Sequence, residues 1–305
     1  ALATVFLVPY AENNGYLKAA IIVAVVSFLA MSLISLFGKE RYKVKEEVLE
    51  KPASLRDTWE YLIHNKYLLY FYAYRMISGS IAVSMLIYVA KYCLGDVKYM
   101  SMVVAISVIP ICILFLFSGK IFKRFDKIVV YRFCMIATIL MNAITLFVGY
   151  QNRTLAIACL VVIAVLAILP SILMGAIPQD CVEYGTYKTE TRKEGITFAL
   201  QTFANKLTAA VATIITGGVL TFVGYDVAAE KAATEAHKVV EIAVSQATVS
   251  GMWKASFIVP IIGQLLAIGF LFAYNLRDKD VQIMSDCNAG KITKAEAEAL
   301  LSRKY

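Results

Sequence analysis

Apolar residues along this chain come in long unbroken runs rather than in alternation. Stretches with few or no charges occupy residues 18–38, 67–90, 99–118, 128–150, 154–176, 195–224 and 252–275. Each reaches the ~20 residues that a helix needs to cross ~30 Å of hydrocarbon. Lipid offers the backbone no hydrogen-bond partners, so only helices and closed barrels span it. Barrel strands would alternate over ~10 residues, and these runs do not. The pattern predicts an all-α transmembrane fold with seven spanning helices. The opening stretch, Ala1–Pro9, is apolar but too short to cross, and it lacks the basic lead-in and cleavage site of a signal peptide. The expectation is that the sequence begins inside an eighth helix and is a fragment.

Composition agrees. Hydrophobic residues make up 60% of the 305 and charged residues 17%, too little polar cover for a soluble domain of this size. The net charge of +8 takes its meaning from where the charges lie. One alternating set of connections, 39–66, 119–127, 178–194 and 276–305, holds 20 Lys and Arg, whereas the other set holds 6. The positive-inside rule makes the first set cytoplasmic, the C-terminal tail included. The excess is therefore orientation in a cell membrane crossed several times, with the lipid bilayer as neighbour and no nucleic-acid partner. Four basic residues, Arg75, Arg132, Lys206 and Lys254, stand inside apolar runs. Arg132 and Lys254 lie near run ends and are read as snorkelling to the interface.

The polar segments divide the chain. Residues 1–38 read as the end of one helical bundle, 39–66 as a cytoplasmic linker, 67–275 as a six-helix transmembrane bundle, and 276–305 as a solvated cytoplasmic tail. Within the linker, Ser54-Leu-Arg-Asp57 is placed to open a short amphipathic helix. Segment 226–251 is Ala-rich and reads as a short helix on the outer face. In the tail, Thr293-Lys-Ala-Glu296 has the spacing of a capping box before a small helix. The six cysteines are scattered without CxxC or His-paired spacing, so no metal site is expected. His64 and His237 are isolated and receive no role.

Candidate chemistry sits in two places. Gln201, Thr202, Asn205 and Lys206 share one helical face, spanning ~140° at ~100° per residue. A Lys deep in an apolar run costs at least ~2.5 kcal/mol on insertion scales, so it should face a cavity or a partner. Amides and hydroxyls beside it suit a polyhydroxylated sugar; the plain alternative for Lys206 is an interhelix ion pair. The second place is the charged block Asp180, Glu183, Lys188, Arg192 and Glu194. Mixed signs there could gate a cytoplasmic opening, although on residues alone a solvated loop is the simpler reading. Arg75 either meets a substrate carboxylate or pairs with Asp180 or Glu183. Asn142 and Gln264 are weaker cavity candidates. Tyr88, Lys91 and Tyr92 read as an outer aromatic belt.

The block from Asp180 to Lys206 runs D-x-x-E-Y-G-x-x-K-T-x-x-R-x-E-G and then F-x-x-Q-T-F-x-x-K. It resembles the signature of the glycoside–pentoside–hexuronide:cation symporters, the major facilitator branch that contains the melibiose carriers. Tyr88-Val-Ala-Lys-Tyr92-Cys-Leu-Gly resembles the end of that family's seventh helix, and Gly119–Lys127 its basic turn between helices eight and nine. The resemblance covers essentially the whole chain. It implies a major facilitator fold, with this sequence supplying the C-terminal six-helix bundle, helix six and the end of helix five.

The resemblance also implies a sugar:cation symporter working by alternating access, not an enzyme, with no cofactor beyond a coupling Na⁺ or H⁺. It places Gln201, Thr202 and Lys206 on the central cavity, with Lys206 near the cation; Asn205 is added from the helical face alone. It makes the charged block a gate. Ser171 stands where the melibiose carrier has a cavity-facing Trp, which speaks against melibiose-like stacking of a galactoside. Two other readings compete. A polytopic enzyme such as a lipid-head-group transferase should show clustered acids or His, and no DxxD or HxxxH occurs. A truncated, inactive product is the other.

Overall fold

In a computed structural model, residues 16–37, 55–82, 85–226 and 244–305 are described. Among them every regular element is a helix. These are α1 (Tyr16–Phe37), α2 (Leu55–His64), α3 (Lys66–Ser80) and α4 (Leu86–Tyr88), which continues as a π-helical turn, Val89–Cys93. Then come α5 (Lys98–Arg124), α6 (Lys127–Val148), α7 (Arg153–Leu166), α8 (Ile168–Thr189), α9 (Glu194–Phe222) and α10 (Gln246–Ala273). Two short helices, α11 (Asp278–Asn288) and α12 (Lys294–Leu300), close the chain. The expected outer helix falls largely on 227–243, and the opening stub and most of the linker on 1–15 and 38–54, all outside the described residues.

Among the described residues, five segments are long and apolar enough to cross a membrane: Lys98–Arg124, Lys127–Val148, Arg153–Thr189, Glu194–Phe222 and Gln246–Ala273. The run 18–38 falls on α1, a helix of 22 residues. One of the seven expected spans is corrected. The run 67–90 is not one helix, because α3 stops at Ser80 and helix resumes at Leu86. Ser78-Gly79-Ser80 is a weak helix former, and the break is wedged between neighbours. A Cβ at residue 79 would stand 2.6 Å from Thr208 Cγ2 on α9, and one at Gly263 on α10 would stand 2.7 Å from Ile81 Cβ.

Proline shapes the next departure. Pro170 has no N–H, and its ring collides with the carbonyl four residues earlier, which belongs to Leu166, the last residue of α7. Helix restarts at Ile168 and runs to Thr189. The polar connection expected at 178–194 therefore shrinks to residues 190–193, and most of the charged block is helical. Glu190 ends α8 in the left-handed region, at φ 55°.

α3 packs on α9 and α10, α10 on α6, α6 on α7 and α8, and α5 on α7. Buried side chains form two clusters. One lies at the tail end, around Phe71, Tyr131, Leu173, Ile177, Tyr184 and Tyr274. The other lies at the opposite end, around Met85, Ala156, Leu220, Met252, Trp253 and Phe257.

The tail is exposed over much of its length, but it is docked rather than free. α11 packs against α8, and α12 against α11, burying Met284 and Ala297 completely. The capping box of Thr293 and Glu296 is formed as expected, and so is amphipathic α2. Arg132 does not snorkel. Its guanidinium donates to the carbonyls of Leu271, Phe272 and Tyr274, holding a cation at the C-terminus of α10, where the helix dipole favours one.

Candidate functional site

Lys127, the first residue of α6, organises the tail end of the bundle. Its Nζ lies 2.6 Å from Asp180 on α8 and 3.7 Å from Asp278 on α11. Its backbone N–H also donates to Asp278 at 3.0 Å. One side chain thereby ties the α5–α6 turn, α8 and the tail together. Glu183, one turn after Asp180, accepts from Arg192 at 2.9 Å and from Asn288 Nδ2 at 2.9 Å. Arg192 also pairs with Glu194. Lys188 donates to the Tyr305 carbonyl, and Glu190 meets Lys294 at 2.9 Å. A cavity of about 670 Å³ opens among Lys127, Asp180, Glu183, Arg192, Glu194 and Asp278.

The five residues expected to act together as a gate are thus all engaged: Glu183, Arg192 and Glu194 with one another, Asp180 and Lys188 with partners the sequence did not suggest. Arg75 was offered Asp180 and Glu183 as partners; instead it donates to the Tyr131 hydroxyl, while Lys127 and Arg192 hold the two acids.

Electrostatics outside the membrane follow this wiring. Burial works to raise the Asp280 carboxyl, but bonds from Ser302 and Tyr305 outweigh it and hold the group below the usual carboxylate range. Those bonds measure 2.6 Å from Ser302 Oγ and 2.5 Å from the Tyr305 hydroxyl. Asp278 moves the other way, raised by burial despite Lys127. Burial would lower Arg192, yet its bonds to Glu194 and Glu183 leave it raised.

The glycine of the Glu183-Tyr184-Gly185 run has a steric reason. A Cβ there would lie 2.7 Å from the Tyr61 hydroxyl and 2.8 Å from Asn65 Nδ2. Asn65 caps α3 and donates to the Cys181 carbonyl at 2.7 Å. Tyr61 shares a hydrogen bond with Thr197 of α9. The corner between α2 and α3 is therefore locked onto α8 and α9 at this glycine.

α9 is exposed on several sides, Phe203 and Leu207 included. Thr202, Asn205 and Lys206 are exposed, and Gln201 is half-buried beside them. Gln201 reaches across to α8, its Nε2 donating to the Met174 carbonyl at 3.0 Å. Thr202 bonds back to its own helix at Phe198. Lys206 has no ion-pair partner among the described residues. It stands twelve residues into α9, ~18 Å along the axis at ~1.5 Å per residue. Asn142 lies elsewhere: with Gln264 it lines a separate cavity of about 530 Å³ inside the bundle, bounded by α4 to α7 and α10.

Lys127, Asp278, Asn288 and Tyr305 were not singled out by sequence reasoning. Lys127 carried a weak signal as the end of a basic turn; the other three carried none, because nothing local marks a tail residue as docked.

Residues 1–278 match the family model described as MFS/sugar transport protein. A putative sulfoquinovose importer of Escherichia coli K12 is 28% identical over 269 residues, covering 87% of this chain and 54% of its own. A putative 2,3-dihydroxypropane-1-sulfonate exporter of Salmonella typhimurium is 26% identical over 306 residues, covering 96% and 63%. An uncharacterized symporter of Bacillus subtilis is 30% identical over 192 residues, covering 61% and 41%. The chain spans about half the length of the curated relatives it matches first. These similarities agree with the resemblance read from Asp180 to Lys206, with the all-helical architecture and with the five apolar spans. The chain belongs to the MFS/sugar transport protein family and is a multi-pass membrane protein.

Proposed function

We propose that the intact gene product is a sugar:cation symporter working by alternating access, and that this chain is its C-terminal part. The observation that carries the proposal is Lys206. A cation with no ion-pair partner among the described residues, ~18 Å along a spanning helix, is tolerated only where it faces water, substrate or a partner. Thr202 and Asn205 share its exposed face, so the side chains around the cation are those that would hydrogen-bond a polyol. In this reading Gln201, Thr202, Asn205 and Lys206 contribute one wall of the substrate path, with Lys206 near the coupling Na⁺ or H⁺. Asp180, Glu183, Lys188, Arg192 and Glu194 belong to the cytoplasmic gate, and the tail lies in the cytoplasm of a cell-membrane carrier.

The substrate class is a glycoside, pentoside or hexuronide. Relatives named for sulfoquinovose and a dihydroxypropane sulfonate make acidic polyols worth including, because Lys206 offers a charge for an anion to meet. The test is uptake by the intact product in proteoliposomes, with neutral and acidic sugars and imposed Na⁺ or H⁺ gradients. Uptake should follow one of the gradients and should drive that cation inward. A folded protein whose uptake ignores both gradients contradicts the proposal.

A further inference from the structure

The 530 Å³ cavity inside the bundle has a chemistry of its own. Its volume falls within the range of small-molecule sites. No charged side chain lines it, and its walls are mostly aliphatic, with Met85, Val103, Ile111, Leu160 and Phe257 among them. Its polar groups are mostly acceptors. Ser107, Thr138 and Ser256 each donate their hydroxyl proton to a carbonyl of their own helix, at 2.6, 2.7 and 2.7 Å. Only oxygen lone pairs are left to face the cavity. Asn142 spends one of its two Nδ2 protons on the Thr138 carbonyl at 2.9 Å.

Two further acceptors lack their usual donor. Gln264 Oε1 is buried with no hydrogen-bond partner among the described residues. Pro260 has no N–H to give the carbonyl of Ser256, four residues earlier, and both residues line the cavity. A buried acceptor without a donor is costly, so the arrangement asks for a molecule that donates.

We infer that this cavity binds an uncharged aliphatic alcohol, its hydroxyl donating to Gln264 and its chain lying against the aliphatic wall. An anion is excluded because no cation among the lining residues answers its charge. A polyol fits poorly, since hydroxyls turned toward Val103, Ile111 and Phe257 would have no partner. The site is distinct from the α9 face, and the inference does not rest on the symport reading. Cys112, exposed on α5, is part of its wall.

Trp253 supplies the readout. Its ring packs 4.8 Å, centroid to centroid, from Phe257 of the cavity wall. The chain has two tryptophans, so Trp59→Phe leaves Trp253 alone to report. In nanodiscs, bromohexanol should quench its fluorescence saturably, and bromohexane should bind more weakly. Gln264→Leu should weaken the alcohol about three- to ten-fold, the worth of one neutral hydrogen bond. Ser107→Leu or Ala164→Leu, which fill the cavity from different helices, should abolish saturation while circular dichroism stays unchanged. Linear quenching that ignores all three variants would mean simple lipid partitioning and would overturn the inference. So would equal binding of bromohexane, or displacement of the alcohol by a methyl glycoside.

Discussion

The side-chain amide of Gln201 donates to the backbone carbonyl of Met174, 3.0 Å away, and that carbonyl is the one Pro178 leaves without a helical donor. Pro178 lies inside α8 and cannot close the bond to residue 174. A side chain from α9 closes it instead. A residue read as part of the substrate wall therefore also joins two spanning helices at the point where one of them is weakened.

That coupling can be measured. Gln201→Leu leaves the carbonyl unsatisfied and should cost about 1–3 kcal/mol, seen as a lower unfolding midpoint in detergent. Pro178→Ala restores an N–H, so the same Leu substitution should cost clearly less in that background. Equal costs in both backgrounds would show that the two residues do not act on one carbonyl.

What the sequence showed and hid follows from the range of each interaction. The α9 face was legible because Gln201, Thr202, Asn205 and Lys206 sit at fixed angles on one helix, and helical periodicity is local. The halt of α7 at Leu166 was legible in principle from Pro170. Hydropathy missed it because an apolar run stays apolar through a break in its hydrogen bonds. The gap after Ser80 was hidden in the same way, and the neighbours packed against it, Thr208 and Gly263, lie far along the chain. Lys127 and Asp180 are 53 residues apart. Charge counting placed both on the same side of the membrane but gave no reason to pair them.

Arg132 should behave as a cap rather than as an interfacial anchor. Its fork reaches three carbonyls at the end of α10, which a single ammonium cannot reproduce. Arg132→Lys is expected to cost about 1–2 kcal/mol, by analogy with cations at partly buried helix ends. Hydrogen exchange should quicken first in the last turn of α10. An exchange pattern changed only at the start of α6 would count against the assignment.

The docked tail carries a pH signature through Asp280. Its folded-state pKa is depressed by Ser302 and Tyr305, so its stabilisation is present above the unfolded value of ~3.9 and lost only as pH falls through the lower folded value. Protection of α11 and α12, corrected for intrinsic exchange rates, should be flat between neutral and mildly acidic pH on account of this group. Asp280→Asn should reduce it throughout that range, by about 1–2 kcal/mol, because charged acceptors bind more strongly than neutral ones. Tail protection that collapses in the mildly acidic range in wild type but not in Asp280→Asn would contradict this wiring.

The central claim is that the Lys206 face of α9 borders water in the middle of the membrane. Modification of Lys206→Cys by a charged, membrane-impermeant thiol reagent tests it most directly, in the intact product lacking Cys112 and Cys287, the two cysteines not classed as buried. The account expects rapid modification that a transported sugar slows. A cysteine that stays unreactive in the folded protein, with and without sugar and from both sides of the membrane, would place this face against lipid or packed protein and contradict the account.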